Sequence, residues 1–188
     1  VDASMAINAF SACDPDQATS SVLTNGMFLF GMEKLTQGKL AFVNFSRRLL
    51  ISDVMTFLPN KDIAVEVLET VEPDALTLAA CEKLKANGYK IVLDDFVYHP
   101  KMDPLVDIAD IIKIDFLVSH PSYCEAITKQ FRRKKNLIFL AEKVETYEQY
   151  RQALSWGYTL FQGYFFCKPV VVDTHDIQGN KLVYFKLL

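Results

Sequence analysis

The sequence predicts a parallel α/β fold of the barrel-like kind, and three features carry that prediction. Short β-branched or aromatic runs alternate with amphipathic helical segments along the chain. The short runs are almost continuously apolar, as in strands covered on both faces of a parallel sheet. Each run also ends in a polar residue, which gathers the polar groups at one end of the sheet.

Taken in order, a long helix is expected after Asp14-Pro15-Asp16, closing at Thr36-Gln37-Gly38, before a first strand over Leu40–Asn44. The second strand spans Ile63–Leu68. Asp74 then opens a helix with Leu76, Ala80 and Leu84 on one face, stopped by Asn87-Gly88. Strands follow at Lys90–Asp95 and Ile111–Asp115. A helix from Pro121 turns Ala126, Ile127 and Phe131 inward. Leu137–Glu142 is the fifth strand, Thr146–Trp156 a helix ended by Gly157, and Thr159–Gly163 the sixth strand. A βα series of this kind implies parallel strands joined by right-handed crossovers. Both a doubly wound open sheet and a barrel fit it. A complete (β/α) barrel has eight strands, so the six seen here predict a barrel-like fold lacking its N-terminal strands, with open edges. Those edges predict association of the chain with itself, edge to edge or through a swapped segment. The dinucleotide-binding open sheet loses support because no Gly-rich loop follows the first strand.

Composition narrows the function. With 188 residues, 51% hydrophobic and 23% charged, the chain is long enough for one well-cored domain. A formal charge of -3 gives no basic surface for a nucleic-acid duplex. No apolar run approaches the roughly 20 residues of a membrane helix, and no basic-then-apolar leader is present. The opening Val-Asp-Ala-Ser lacks an initiator Met and reads as a boundary within a longer product. Cys13, Cys81, Cys124 and Cys167 are scattered without metal-ligand spacing and read as buried or half-buried thiols in a reducing cytoplasm.

The strand ends carry the chemistry. Asn44, Glu66, Asp94 with Asp95, Lys113 with Asp115, Glu142 and Gln162 close the six strands. In a parallel barrel these ends meet at one face, where catalytic groups sit. So many carboxylates in one place need a compensating cation. An oxygen-rich set suits Mg²⁺ or Mn²⁺, and no His stands at a strand end to make a zinc site.

The segments Val43-Asn44-Phe45-Ser46, Glu66-Val67-Leu68-Glu69, Leu93-Asp94-Asp95-Phe96, Ile112-Lys113-Ile114-Asp115, Ala141-Glu142-Lys143-Val144-Glu145-Thr146 and Phe161-Gln162-Gly163-Tyr164 resemble, in order and spacing, the motif series of the EAL family. The resemblance covers roughly residues 14–172. It implies a barrel that acts on cyclic-di-GMP, hydrolysed by active members to linear pGpG with Mg²⁺ or Mn²⁺. Under it, Asn44, Glu66 and Asp94 match metal ligands, and Asp95 a position serving a second metal. Lys113 matches the lysine near the attacking water, and Asp115 its acidic neighbour. Glu142 matches the proposed base, Glu145 a loop-supporting acid and Gln162 a pocket glutamine. The variants around Asp94–Tyr98 and Ala141–Glu145 resemble the subgroup in which an EAL domain precedes an HDOD domain. The resemblance then divides the chain into an incomplete barrel domain, 1–172, and a connector, 173–188, leading towards an HDOD-like domain.

Departures from the family pattern shape the functional expectation. The name-giving Glu-Ala-Leu has no counterpart in this sequence. The loop Phe96–Pro104 carries Val97 and two prolines where active relatives are rich in Gly and Ser, and Lys143 replaces a usual Gly. These changes predict a bacterial signalling module that has lost catalysis, binding a partner protein or its own HDOD domain and keeping some affinity for cyclic-di-GMP. The competing expectation is an active metal-dependent phosphodiesterase. His99 and His120 read as exposed loop residues, and Arg132–Lys135 as a solvated helix end. Phe161, Tyr164, Phe165 and Phe166 read as packing aromatics.

Overall fold

Aliphatic, largely β-branched runs form strands where the sequence places them. The computed structural model describes residues 38–52 and 59–167. Its strands are β1 (Ala41–Phe45), β2 (Ile63–Val67), β3 (Lys90–Leu93), β4 (Ile111–Asp115), β5 (Ile138–Glu142) and β6 (Leu160–Phe161). All pair in parallel, in the order β1-β2-β3-β4-β5-β6. A doubly wound sheet reverses its order at a switch point. A strictly sequential order is that of neighbouring barrel staves, so the open-sheet alternative falls.

The apolar character of the strands has a two-sided explanation. Phe45, Ile63, Val65, Ile91, Leu93, Ile112, Ile114 and Ala141 belong to the large core under the helices. Between them in sequence, Ala64, Val92, Ile111 and Leu140 form a separate buried cluster, with Leu40, Phe42 and Leu160 packed against it. Side chains alternate between the two faces of a strand. Two residues beyond Phe42, Ala64, Val92, Ile111, Leu140 and Leu160 stand Asn44, Glu66, Asp94, Lys113, Glu142 and Gln162. The inner face therefore changes from apolar to polar towards the C-terminal end of all six strands, with a two-residue stagger between β2 and β3 and between β4 and β5.

The helices follow their caps. Ser46 opens the short α1 (Arg47–Leu50). Asp74 caps α2 (Ala75–Ala86), accepting from the Thr77 amide at 2.8 Å, and is held by Arg47. The inward stripe of α2 is Thr77, Cys81 and Leu84, whereas Leu76 is 62% exposed, against the expected Leu76–Ala80–Leu84 face. Residues eight apart stand about 80° apart round a helix, so Leu76 and Leu84 do not share the seam. After β3, a 3₁₀ turn (Pro100–Met102) and α3 (Asp103–Ile108) replace what reads as loop. Pro104 lies in the first turn, where its missing N–H leaves no bond unmade.

His120 caps α4 (Pro121–Phe131), whose buried stripe is Cys124, Ile127, Thr128 and Phe131. Ala126, expected inside, is exposed, because it lies about 100° round the helix from Ile127. Finally, α5 (Tyr147–Trp156) has a Thr146–Gln149 capping box and ends at Gly157 with φ 98°. The expected helix over residues 14–38 lies outside the described residues but for Gly38, and the connector 173–188 lies wholly outside them.

One glycine is fixed by a close approach. A Cβ on Gly163 would lie 2.2 Å from the Val144 carbonyl oxygen and 2.3 Å from the Val144 nitrogen. Neither atom is free to retreat, since the Val144 amide donates to Gln162 O at 3.0 Å and its carbonyl accepts from the Phe165 amide at 3.1 Å. Gly163→Ala is therefore expected to cost about 2 kcal/mol or more, in the range of mutations that force a backbone to shift. Urea unfolding measures it, and a midpoint equal to the parent's would refute the close approach.

Candidate functional site

Lys113 reaches the centre of the polar layer from β4. Its side chain is 0% exposed and its Nζ lies 2.5 Å from Asp94 Oδ1 and 2.8 Å from Glu142 Oε1, with Glu66 Oε1 as a third partner. Burial alone would drive a lysine towards its neutral form. The Glu66, Glu142 and Asp94 carboxylates outweigh that and hold the ammonium above its ordinary range. Strands β2, β3, β4 and β5 are thus tied together above their inner apolar cluster.

A second ammonium enters from the loop after β5. Lys143 Nζ pairs with Asp115 Oδ2 and lies 3.5 Å from Asp95 Oδ1. The other Asp115 oxygen accepts the amides of Leu117, at 2.7 Å, and Val118, at 3.2 Å. Burial would raise the Asp115 carboxyl, but Lys143 and these amides hold it below its usual range. Lys143 itself, with φ 55°, and its second partner Asp95, with φ 41°, both have left-handed backbones. Strained backbone of this kind is concentrated at functional sites.

Among the described residues, five carboxylates (Glu66, Asp94, Asp95, Asp115, Glu142) gather around two ammoniums. Carboxylate oxygens of Asp94, Asp95 and Glu142 lie within 4.8 Å of one another. Asp95 Oδ1 is a buried atom that accepts no hydrogen bond among the described residues. An all-oxygen donor set and an Asp95 oxygen that accepts no hydrogen bond fit one hard divalent cation such as Mg²⁺ or Mn²⁺. Asp94, Asp95 and Glu142 are the residues that would hold it.

The remaining predicted residues stand around this group. Asn44 is directly opposite Glu66 in the β1–β2 register, but exposed. Gln162 follows β6, its amide donating to Ala141 O at 2.9 Å. Glu145 stands apart on an exposed turn, its amide donating to Gln149 Oε1 at 2.9 Å. Beside Asp94 and Asp95 runs an open cleft of roughly 490 Å³, walled by Glu69, Glu72 and Pro73 on one side and by Val97, His99 and Lys101 on the other. The wall carrying Val97 is pinned to α4. The Tyr98 amide donates to Tyr123 Oη at 2.8 Å, that hydroxyl donates to Phe96 O at 3.3 Å, and the Tyr98 ring meets Phe131 edge to face.

Lys143 is the member that residue type alone does not reveal. Its sequence signal is a lysine where a glycine is usual, at a position whose φ favours glycine. Several other polar residues have local duties. His99 and His120 are exposed caps for the turns they open. Cys81 and Cys124 are buried free thiols, each pushed by burial up to about 11, whereas Cys167 is exposed, against the buried or half-buried position expected for it. Tyr150 packs against Phe161, Phe165 and Phe166. No described helix is long and apolar enough to cross a membrane.

Comparison with known proteins agrees with this geometry. YuxH of Bacillus subtilis is 39% identical over 186 residues, covering 96% of this chain and 45% of YuxH. The cyclic di-GMP phosphodiesterase CdgJ of Vibrio cholerae is 32% identical over 182 residues, covering 96% of this chain and 42% of CdgJ. The chain thus spans less than half the length of these relatives. Among solved structures, the PaMucR phosphodiesterase in complex with c-di-GMP superposes with a TM-score of 0.65 at 26% identity, over 81% of this chain and 76% of that one. Klebsiella pneumoniae BlrP1, solved with manganese and cyclic-di-GMP, superposes with a TM-score of 0.66 at 19% identity, over 85% of this chain and 47% of that one. Residues 42–169 match the EAL domain, and with them six parallel strands in sequence order and a carboxylate-rich layer at the strand ends: the chain belongs to the EAL domain family.

Proposed function

We propose that this chain is a cyclic-di-GMP-responsive signalling module of the EAL type whose nucleotide site binds without turning over. The observation that carries the reading is the occupation of the site's carboxylates by the chain's own cations. Lys113 engages Glu66, Asp94 and Glu142, and Lys143 engages Asp115 and Asp95. A divalent ion, when bound, would polarise a phosphate and lower the pKa of a bound water. Asp94, Asp95 and Glu142 supply its ligands, and Lys113 fixes where two of those three carboxylates point.

The carboxylate-rich layer sets how the nucleotide binds. A doubly anionic ligand approaching so many carboxylates is repelled, so binding depends on divalent cation. Beside the site, Leu117 is 53% exposed, Val118 82% and Val97 73%, an apolar rim that suits a protein surface. A partner protein, or an HDOD domain of the same protein, is the proposed recipient of the signal. The proposed setting is the bacterial cytoplasm, with 1–172 as the EAL-type domain and 173–188 as connector.

Calorimetry tests the reading. Cyclic-di-GMP is expected to release heat of binding in Mg²⁺ or Mn²⁺ and none in chelator, and absence of binding in both conditions would refute it. An active phosphodiesterase is the second reading. It is favoured by the convergence of Asp94, Asp95 and Glu142 and by the similarity to CdgJ. On that reading Glu142 serves as base and Lys113 orients the phosphate.

A further inference from the structure

Lys143 occupies a position with two unusual properties. Its backbone lies at φ 55°, a conformation open to glycine at no cost and strained for lysine. Its ammonium nevertheless lies between two carboxylates from different strand ends, Asp115 at the end of β4 and Asp95 after β3. Asp115 is satisfied in full, one oxygen by two amides and the other by Lys143. Asp95 is not, because its Oδ1 sits 3.5 Å from Lys143 Nζ and accepts no hydrogen bond. Asp95 is also the residue that turns towards Asp94 and Glu142 in the candidate cation group. It is therefore shared between a tethered cation on one side and an ion site on the other.

We propose that Lys143 is a built-in counter-ion that competes with a divalent cation for Asp95, weakening metal binding at the Asp94–Asp95–Glu142 group and tuning the module to high divalent concentration. The side chain is 42% exposed and sits on a long flexible stem, so it is free to swing away when the ion binds. Lys113 has no such freedom, being enclosed by three carboxylates with no exposed surface. The two lysines thus divide the work. Lys113 is permanent structural charge, and Lys143 is the displaceable one. This inference rests on the proposed binding of a divalent cation, but not on nucleotide binding.

The test uses Mn²⁺ alone, with no nucleotide, so that its outcome is independent of cyclic-di-GMP recognition. Binding is read by calorimetry and by the loss of the free Mn²⁺ electron paramagnetic resonance signal. Lys143→Met keeps the strained backbone and the stem but removes the charge. Lys143→Gly removes charge and strain together, and Lys143→Arg keeps the charge. Relative to the parent, the Met and Gly variants are expected to bind Mn²⁺ at least ten-fold more tightly and the Arg variant about as weakly. Asp95→Asn should remove the difference between parent and Lys143→Met. Folding is followed in parallel by urea midpoint, where only the Gly variant should gain by relief of strain. Equal Mn²⁺ affinity in the parent and Lys143→Met would overturn the competition. Absence of Mn²⁺ binding in every variant would overturn the cation site itself, while leaving a metal-free nucleotide interaction to be judged by the calorimetry above.

Discussion

Lys113→Met is expected to be the most damaging single substitution in the described part of the chain, costing about 3–5 kcal/mol, the range found when one partner of a buried ion pair is removed. The methionine fills much of the same volume, so the loss is electrostatic. Glu66 and Glu142 are buried, at 2% and 1% exposure, and Asp94 lies close to them. Without the ammonium these carboxylates repel one another where little water reaches them. The urea midpoint measures the loss. Two conditions should restore part of it: mild acid, which protonates a carboxylate, and added Mn²⁺, which supplies another cation. The parent should behave oppositely at high pH. Its Lys113 is held above the ordinary lysine value, so this stabilisation is complete below about pH 10.4 and is lost as pH rises through the folded-state value. A Lys113→Met protein as stable as the parent would show that the carboxylates are adequately solvated without it.

Most of the sheet was legible because its strands are covered on both sides and therefore read as short apolar runs. The level of the site was legible for the same reason. Asn44, Glu66, Asp94, Lys113, Glu142 and Gln162 each break such a run at its end, two residues after a member of the inner cluster. The helix faces were less legible. On α2 the true stripe includes Thr77, a polar residue drawn inside beside its capped amide, and leaves Leu76 outside. Hydrophobicity alone chooses the wrong one. Partnership within the site was illegible in another way. Periodicity places Lys113 and Asp115 on one strand, but says nothing of a loop lysine reaching Asp115 instead. That contact depends on the left-handed turn at Lys143, which no pattern of apolar residues encodes.

The last expectation concerns turnover. The chain is expected to convert cyclic-di-GMP to its linear product at least 100-fold more slowly than about 1 per second, the lower end of ordinary enzyme rates. Hydrolysis needs a water held on its reactive line, and small misplacements of the groups around it can cost about 100-fold. Here those groups already serve other partners. Glu142 and Asp94 direct oxygens to Lys113, and Asp95 faces Lys143. The wall of the cleft at Val97 is fastened to α4 through Tyr123 rather than left to close over a substrate. Asn44, opposite Glu66 in the β1–β2 register, lies exposed. A divalent ion that binds under these conditions is held by few protein ligands, which is enough for occupancy because Mg²⁺ keeps several waters, but poor for positioning. Product analysis with saturating Mn²⁺ decides the matter, with Glu66→Ala as the control for contaminating activity. Linear dinucleotide formed at about 1 per second or faster, and abolished in that control, would show that Lys113 and Lys143 leave the carboxylates free to work and would establish the chain as a phosphodiesterase.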